Sequence, residues 1–225
     1  MKLFTHVSPS HRAMAEEILL PSAVEFDVTV YEGEQHGDGT WQNDGWRAAT
    51  RDKATSMLRA WHDAEGDDMF VWADADVVLT GPIVAILRAN MYCGQPDMLF
   101  QQDETPETVC SGFFCARRNE AVRDILTLVA NEPYPDSGPC DQAIMNRHKG
   151  RVNYRMLSTT QFWTVGHISR RYQEHVRIRI RRNKFHAIIP YIPPDLRMYH
   201  ANFITSTTRK IGVLRTVRNS RWTRK

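Results

Sequence analysis

Two carboxylates stand one residue apart in Phe70-Val71-Trp72-Ala73-Asp74-Ala75-Asp76-Val77-Val78, directly after an apolar run. The run, Met69–Ala73, reads as a buried strand that delivers Asp74 and Asp76 to the edge of a sheet. In α/β sheets, ligands gather at the carboxyl ends of strands. Hard divalent cations take oxygen ligands, and Mg²⁺ or Mn²⁺ can bridge carboxylates to substrate phosphates. The spacing therefore suits a metal clamp on a diphosphate. The competing reading is a solvated turn that happens to carry two acidic residues. A third carboxylate, Asp141, follows the turn residues Ser137-Gly138-Pro139 and opens a helical pattern with Ala143 and Ile144 available for packing. It could simply complement that helix N-terminus.

The elements that must position these groups alternate between strand-like and helix-like segments. Leu3–Val7 is a short apolar strand, and Ser10 can cap a helix that runs to Leu20 and stops at Pro21. Phe26–Tyr31 alternates as a second strand, and the Gly-rich residues from Glu32 to Thr40 form a loop. Asn43 or Asp44 can cap a helix whose Trp46, Ala54, Met57, Leu58 and Trp61 share one face. After Asp76, Gly81-Pro82 begins a helix to about Asn90; Asp97–Gln101 and Gly112–Ala116 are further strands. A helix from Asn119 to Ala130 turns Val122, Ile125, Leu126 and Val129 inward. Beyond Gly150, Val176, Ile178 and Ile180 alternate with Arg177, Arg179 and Arg181 as a strand with one basic face. His186–Ile189 reads as another strand and Thr207–Val217 as a terminal helix. Alternating β and α segments of this kind predict an α/β sandwich of three layers.

The chain has 225 residues, enough for one substantial core, and its 42% hydrophobic content excludes a disordered polymer. No run approaches a membrane span, and Met1–Pro9 lacks the pattern of a secretion signal. A soluble, cytoplasmic protein with no integral membrane segment is expected. Cys93, Cys110, Cys115 and Cys140 show no Cys-x-x-Cys pair, which argues against structural zinc and for reduced thiols. Net charge is +3 but uneven: −12 over residues 1–150 and +15 over 151–225. Such asymmetry fits either internal neutralisation or a polyanion near the C-terminal part. Arg117 and Arg118 are expected to pair with acidic neighbours. Trp41, Trp46, Trp61 and Trp163 could stack on a base or sugar, but Trp46 and Trp61 fit a core face better, and Trp163 is a candidate wall of the acceptor site.

The chain resembles the GT-A glycosyltransferases, in the compact nucleotide-diphospho-sugar transferase type found in viruses, bacteria and plants. The matching pieces are Trp72-Ala73-Asp74-Ala75-Asp76-Val77, Ser111-Gly112-Phe113-Phe114, Cys140-Asp141-Gln142-Ala143 and His200-Ala201-Asn202-Phe203. The resemblance implies a single GT-A domain over residues 1–225, a Rossmann-like three-layer α/β/α sandwich with a mixed central sheet. About 1–110 would bind nucleotide; about 111–225 would serve the acceptor and complete the metal site. It implies Mn²⁺ or Mg²⁺ on Asp76 and His200, with Asp74 on metal, ribose or both and Ala75 between them at the donor. Thr5, His6, Val7 and Ser8 would cradle the nucleobase, and Lys53 would reach the nucleotide or sugar. Asp141 would act at the sugar. Lys210 is implied at the diphosphate, although it lies ten residues beyond His200 and Thr205-Ser206 stands where the family has glycine. The expected partners are a nucleotide-diphospho-sugar, UDP-sugar first, and a glycan or other hydroxyl acceptor. Sugar, base, stereochemistry and oligomeric state stay open.

Two other functions compete. Asp74-Ala75-Asp76-Val77-Val78 also resembles the nucleophile motif of haloacid-dehalogenase-like phosphatases, with Asp74 attacking phosphorus. That family places the motif near the N-terminus and adds a downstream acidic pair, and this sequence does neither. A nucleic-acid-binding protein using residues 170–184 and 209–225 would explain the basic segment but not the carboxylates.

Overall fold

The computed structural model of the chain describes residues 1–38, 45–103, 105–133, 140–164, 194–204 and 206–222. The predicted strands at 176–180 and at His186–Ile189 lie outside these residues, as do Trp41, Asn43, Asp44 and Ser137-Gly138-Pro139.

A six-stranded sheet forms the centre. In chain order its strands are β1 (Lys2–Val7), β2 (Asp27–Glu32), β3 (Met69–Ala73), β5 (Met98–Gln102), β6 (Val109–Arg117) and β7 (Tyr154–Met156). Across the sheet the order is β2-β1-β3-β6-β5-β7. β1 runs parallel to β2 and β3, whereas β6 is antiparallel to both β3 and β5, so the sheet is mixed. One face is covered by α2 (Trp46–Asp63), α4 (Glu120–Asn131) and α5 (Cys140–His148). Their Ala54, Met57, Trp61, Val122, Ile125, Val129 and Ile144 bury against Phe4, Phe70, Trp72, Phe100 and Phe114 of the strands. Burying each large apolar side chain is worth about 1.5–3 kcal/mol, and the stacked and edge-on rings around Phe114 give this face its rigidity. α4 starts as predicted, with the Asn119 side chain accepting from Val122 N.

The opposite face is not covered by helices alone. A second sheet, which sequence reading did not anticipate, has the order β4-β9-β8, from β4 (Val77–Leu79), β8 (Phe162–Thr164) and β9 (Met198–His200). It packs there with a helical stretch over residues 9–22 (α1) and with α3 (Val84–Tyr92). The terminal helix α6 (Thr207–Trp222) closes over α1 and the small sheet through Leu214 and Val217. Three-residue strands are too short to show alternation in sequence, which is why these were missed.

Three local expectations are corrected. α1 does not stop at Leu20: it contains a π-helical turn, Ala15–Leu19, and runs on through Pro21 to Ser22. Pro21 brings no backbone N–H, and the π-helical turn before it already departs from the i→i−4 pattern, with Leu20 N donating to Ala15 O. α2 begins after Gly45, at φ +83° and with no side-chain cap, rather than after a capping Asn43 or Asp44. Arg117 and Arg118 are held by backbone carbonyls of Met91, Pro96 and Trp61 rather than by acids, with the Arg118 guanidinium 4.6 Å from the Trp61 ring centroid.

Candidate active site

The sheet edge is shaped by an irregularity between β5 and β6. Phe100 pairs with Phe114, but the next residue, Gln101, pairs with Cys110. Ser111, Gly112 and Phe113 are therefore extra on β6 and leave β5, while Phe113 still pairs with Ala73 of β3. Such bulges re-aim strands near sites. Here Gly112 O accepts from Asp74 N at 2.8 Å and fixes the chain as it leaves β3. Trp72, fully buried, must place its indole N–H on a partner, and that partner is Asp74 Oδ1 at 3.1 Å. The core thus holds the first carboxylate directly.

Asp76 and His200 meet through the second sheet. β4 and β9 are antiparallel with Val77 opposite His200, and Ala201 N donates to Asp76 O at 2.9 Å. His200 Nε2 lies 3.0 Å from Asp76 Oδ1 and 3.9 Å from Asp74 Oδ2. Each of the three residues offers one ligand atom within 4.8 Å of the other two. Two carboxylate oxygens and one imidazole nitrogen suit Mn²⁺ or Mg²⁺, and the floor beneath them is glycine for a reason. A Cβ on Gly112 would sit 2.2 Å from His200 Cε1 and 2.7 Å from Asp74 Oδ2. The residues present fit a divalent ion. Gly112→Ala should accordingly weaken Mn²⁺ binding by roughly tenfold or more, by displacing one of two ligands. Unchanged Mn²⁺ affinity on calorimetric titration would separate Asp74 and His200 from a shared cation.

Two lysines neutralise the acids. Lys53, from α2, is 16% exposed and bridges Asp74 Oδ2 at 3.0 Å and Asp141 Oδ2 at 2.7 Å. Burial alone would lower the Lys53 pKa; the Asp141 and Asp74 carboxylates more than reverse this and raise it. Lys210, from α6, reaches Asp76 Oδ2 at 2.5 Å. Burial would raise Asp76, but Lys210 and His200 hold it well below the usual carboxylate range. His200 is pushed down by burial, yet Asp76, with Cys110 beside it, holds it well above the ordinary histidine value. Asp141, 2% exposed, also accepts from Ser111 Oγ at 2.8 Å. Its neighbour Gln142 donates to Asp103 Oδ2 at 2.6 Å.

These groups line two chambers of one cleft. The first, about 150 Å³, is bounded by His6, Ser8, His11, His36, Trp46 and Ala75, with Lys53, Asp74, Asp76 and Lys210 at its inner end. The second, about 120 Å³, lies beyond the carboxylates, among Ser111, Gly112, Asp141, Gln142, His200 and Asn202. The structure therefore brings together His6, Ser8, Lys53, Asp74, Ala75, Asp76, Asp141, His200 and Lys210. It does not bring the side chains of Thr5 and Val7 into the cleft. Alternation along β1 turns both to the opposite face, where Val7 packs on Ala15 and Thr5 is fully buried. Trp163 is likewise no ligand wall: it is 2% exposed, in the core with Tyr199 and Leu196, and donates to Thr159 O. Trp46 is the reverse case, half-buried and lining both chambers rather than the core.

Sequence reasoning missed His11 and His36, and for Trp46 it preferred the core to the cleft. His11 is held by Ser8 and Ser10, and His36 by Asp52 at 2.6 Å. No spacing in the sequence marked these residues, because they come from separate elements. Ser111 and Gly112 did carry a signal, as part of the Ser-Gly-Phe-Phe resemblance.

No protein-family model and no curated protein sequence matches the chain. Solved structures do. A glycosyltransferase involved in glycosylation of the PBCV-1 major capsid superposes with TM-score 0.61 at 14% identity, over 96% of this chain and all of that one. The galactosyltransferase LgtC, in complex with donor and acceptor sugar analogues, gives 0.57 at 12%, covering 98% of this chain and 96% of that one. The glycosyltransferase GlyE of Streptococcus pneumoniae TIGR4 gives 0.56 at 11%, over 99% of this chain and 64% of that one.

The chain has the GT-A fold. The phosphatase alternative required a haloacid-dehalogenase fold and lapses with this result. In the GT-A frame observed here, Asp74 and Asp76 occupy the turn between β3 and β4, where the central and the small sheets meet. No helix among the described residues is long and apolar enough to cross a membrane.

Proposed function

We propose that the chain is a metal-dependent glycosyltransferase acting on a nucleoside-diphosphate sugar, UDP-sugar first, and transferring the sugar to a hydroxyl of a glycan or other acceptor. The observation that carries this reading is the convergence of Asp74, Asp76 and His200 between two lysines, in a cleft of the GT-A fold. That LgtC has been seen with donor and acceptor sugar analogues supports a two-substrate cleft. The chain is read as one catalytic domain, with the first chamber for the nucleoside and the second for the sugars.

The reaction breaks the donor's anomeric C–O bond, and its electron pair leaves with the diphosphate. The acceptor oxygen bonds to the anomeric carbon and gives up its proton. The chain's residues divide this work. His6, Ser8, His11, His36 and Trp46 surround the nucleoside; Lys210 offers its charge to the diphosphate in place of Asp76. Lys53 and Ser111 fix the direction of the Asp141 carboxylate, which orients sugar hydroxyls or takes the acceptor's proton. A divalent ion on Asp74, Asp76 and His200 would supply Lewis-acid stabilisation of the leaving diphosphate.

A thermal-shift panel of nucleoside diphosphates, with and without Mn²⁺, tests the reading. UDP at a hundred times its dissociation constant should add about 2.7 kcal/mol of stability when Mn²⁺ is present. Equal stabilisation by UDP, GDP and the other diphosphates in chelator and in Mn²⁺ would sink it.

A further inference from the structure

His200 has two ring nitrogens, and the cleft uses one. While Nε2 faces Asp76 and Asp74, Nδ1 points beneath the cleft, to Gln101 Oε1 at 3.1 Å and Cys110 Sγ at 3.5 Å. Gln101 is fully buried and sits where the β5–β6 register breaks, so the same irregularity that lifts Gly112 under the cleft frees Gln101 to reach β9. A buried amide needs partners at both ends. The far end of Gln101 faces Met198 Sδ, 3.8 Å from its Nε2. A thioether sulfur can accept but cannot donate. The amide must therefore turn its NH₂ to Met198 and its carbonyl oxygen to His200. That oxygen can only accept, so Nδ1 carries a hydrogen, and when a cation takes the place of the hydrogen that Nε2 shares with Asp76 at 3.0 Å the lone pair of the neutral ring lies on Nε2.

We propose that Gln101 is a positioning residue, which sets His200 as the Nδ1–H tautomer and so presents Nε2 as a ligand atom to the divalent ion. The proposal rests on reading the cleft as a metal site. Outer partners of this kind orient a ligating imidazole and raise its basicity. Gln101 itself lines neither chamber and reaches the cleft through His200, and no motif marks it. If it were only a core filler, an apolar residue of similar volume would serve as well.

The test compares the parent protein with Gln101→Leu and Gln101→Glu, by calorimetric Mn²⁺ titration and melting temperature. Gln101→Leu should weaken Mn²⁺ binding on the order of 10–100-fold in a protein that still melts cooperatively. Gln101→Glu, whose carboxylate still accepts from Nδ1, should keep the parent's affinity. Two-bond ¹H–¹⁵N correlations of histidine-labelled protein in Mg²⁺ should show His200 protonated at Nδ1 in the parent and as a tautomer mixture in Gln101→Leu. Parental Mn²⁺ affinity in Gln101→Leu, loss in both variants alike, or an Nε2–H ring in the Mg²⁺-loaded parent would each overturn the inference alone. A parent protein that binds no Mn²⁺ would overturn the metal site and this inference with it.

Discussion

Asp141→Asn should remove most sugar transfer while leaving nucleotide–Mn²⁺ binding nearly intact. Asp141 is buried against Lys53 at 2.7 Å and Ser111 at 2.8 Å, outside the Asp74–Asp76–His200 group. Asparagine keeps the shape and an accepting oxygen for both partners but loses the charge and the basicity. If the carboxylate takes or directs a proton, the loss in turnover is about 10²–10⁴-fold, the usual worth of a positioned acid–base group. Stability should change far less, because Lys53 retains Asp74 as a charged partner. Weakening one charge-assisted bond costs about 1 kcal/mol, or roughly 2–4 °C in a chain of this size. Turnover and melting measured together decide the matter. A variant that melts early yet turns over normally would return Asp141 to the role of helix-terminus complement.

Lys53→Met should act mainly on stability. Lys53 ties α2 to the end of β3 and to α5 through two carboxylates that are 18% and 3% exposed. Breaking a buried pair by removing one partner costs about 3–5 kcal/mol, because the stranded charge has lost its hydration. At roughly 2–4 °C per kcal/mol, the melting temperature should fall on the order of 10 °C. The sign with pH follows from the raised Lys53 pKa. Its stabilisation is fully present below the ordinary lysine value of about 10.4 and is lost as pH rises through the folded value. The deficit of Lys53→Met is therefore the same at pH 7 and pH 9. Added Mn²⁺ should recover more stability in the variant than in the parent, since a cation beside Asp74 replaces the missing charge. A deficit under about 1 kcal/mol, of the size of an exposed pair, would make Lys53 a bystander.

The residues that were legible in advance are those whose roles are local. Met69–Ala73 could be read as a buried strand because five apolar residues end abruptly at Asp74, and α4 because Asn119 and its inward face obey helical spacing. The GT-A fold followed from such segments together with four short resemblances. What was not legible depends on pairing between distant segments. Nothing near His200 in sequence says that it will stand opposite Val77, and the break between Phe100 and Gln101 exists only in the register with β6. Trp46 and Trp163 exchanged their expected places for the same reason. Helical periodicity puts Trp46 on the core face, but it stands in the first turn of α2, and that turn lines the cleft. Pro21 misled because a helix stop inferred from one residue ignores the π-helical turn, Ala15–Leu19, that precedes it.

The pairing of β4 with β9 also imposes an order of events on the young chain. Asp74 and Asp76 are made well before His200, and the carboxylates gain their imidazole partner when β9 docks on the edge of β4. Joining such distant segments costs closure entropy before their contacts can reward it. A chain halted at β7 would hold Asp74, Asp76, Asp141 and Lys53 but neither His200 nor Lys210. The candidate metal group is thus sealed by a long-range pairing, and a nascent chain cannot acquire the complete ligand set of Asp74, Asp76 and His200 before β9 has been made.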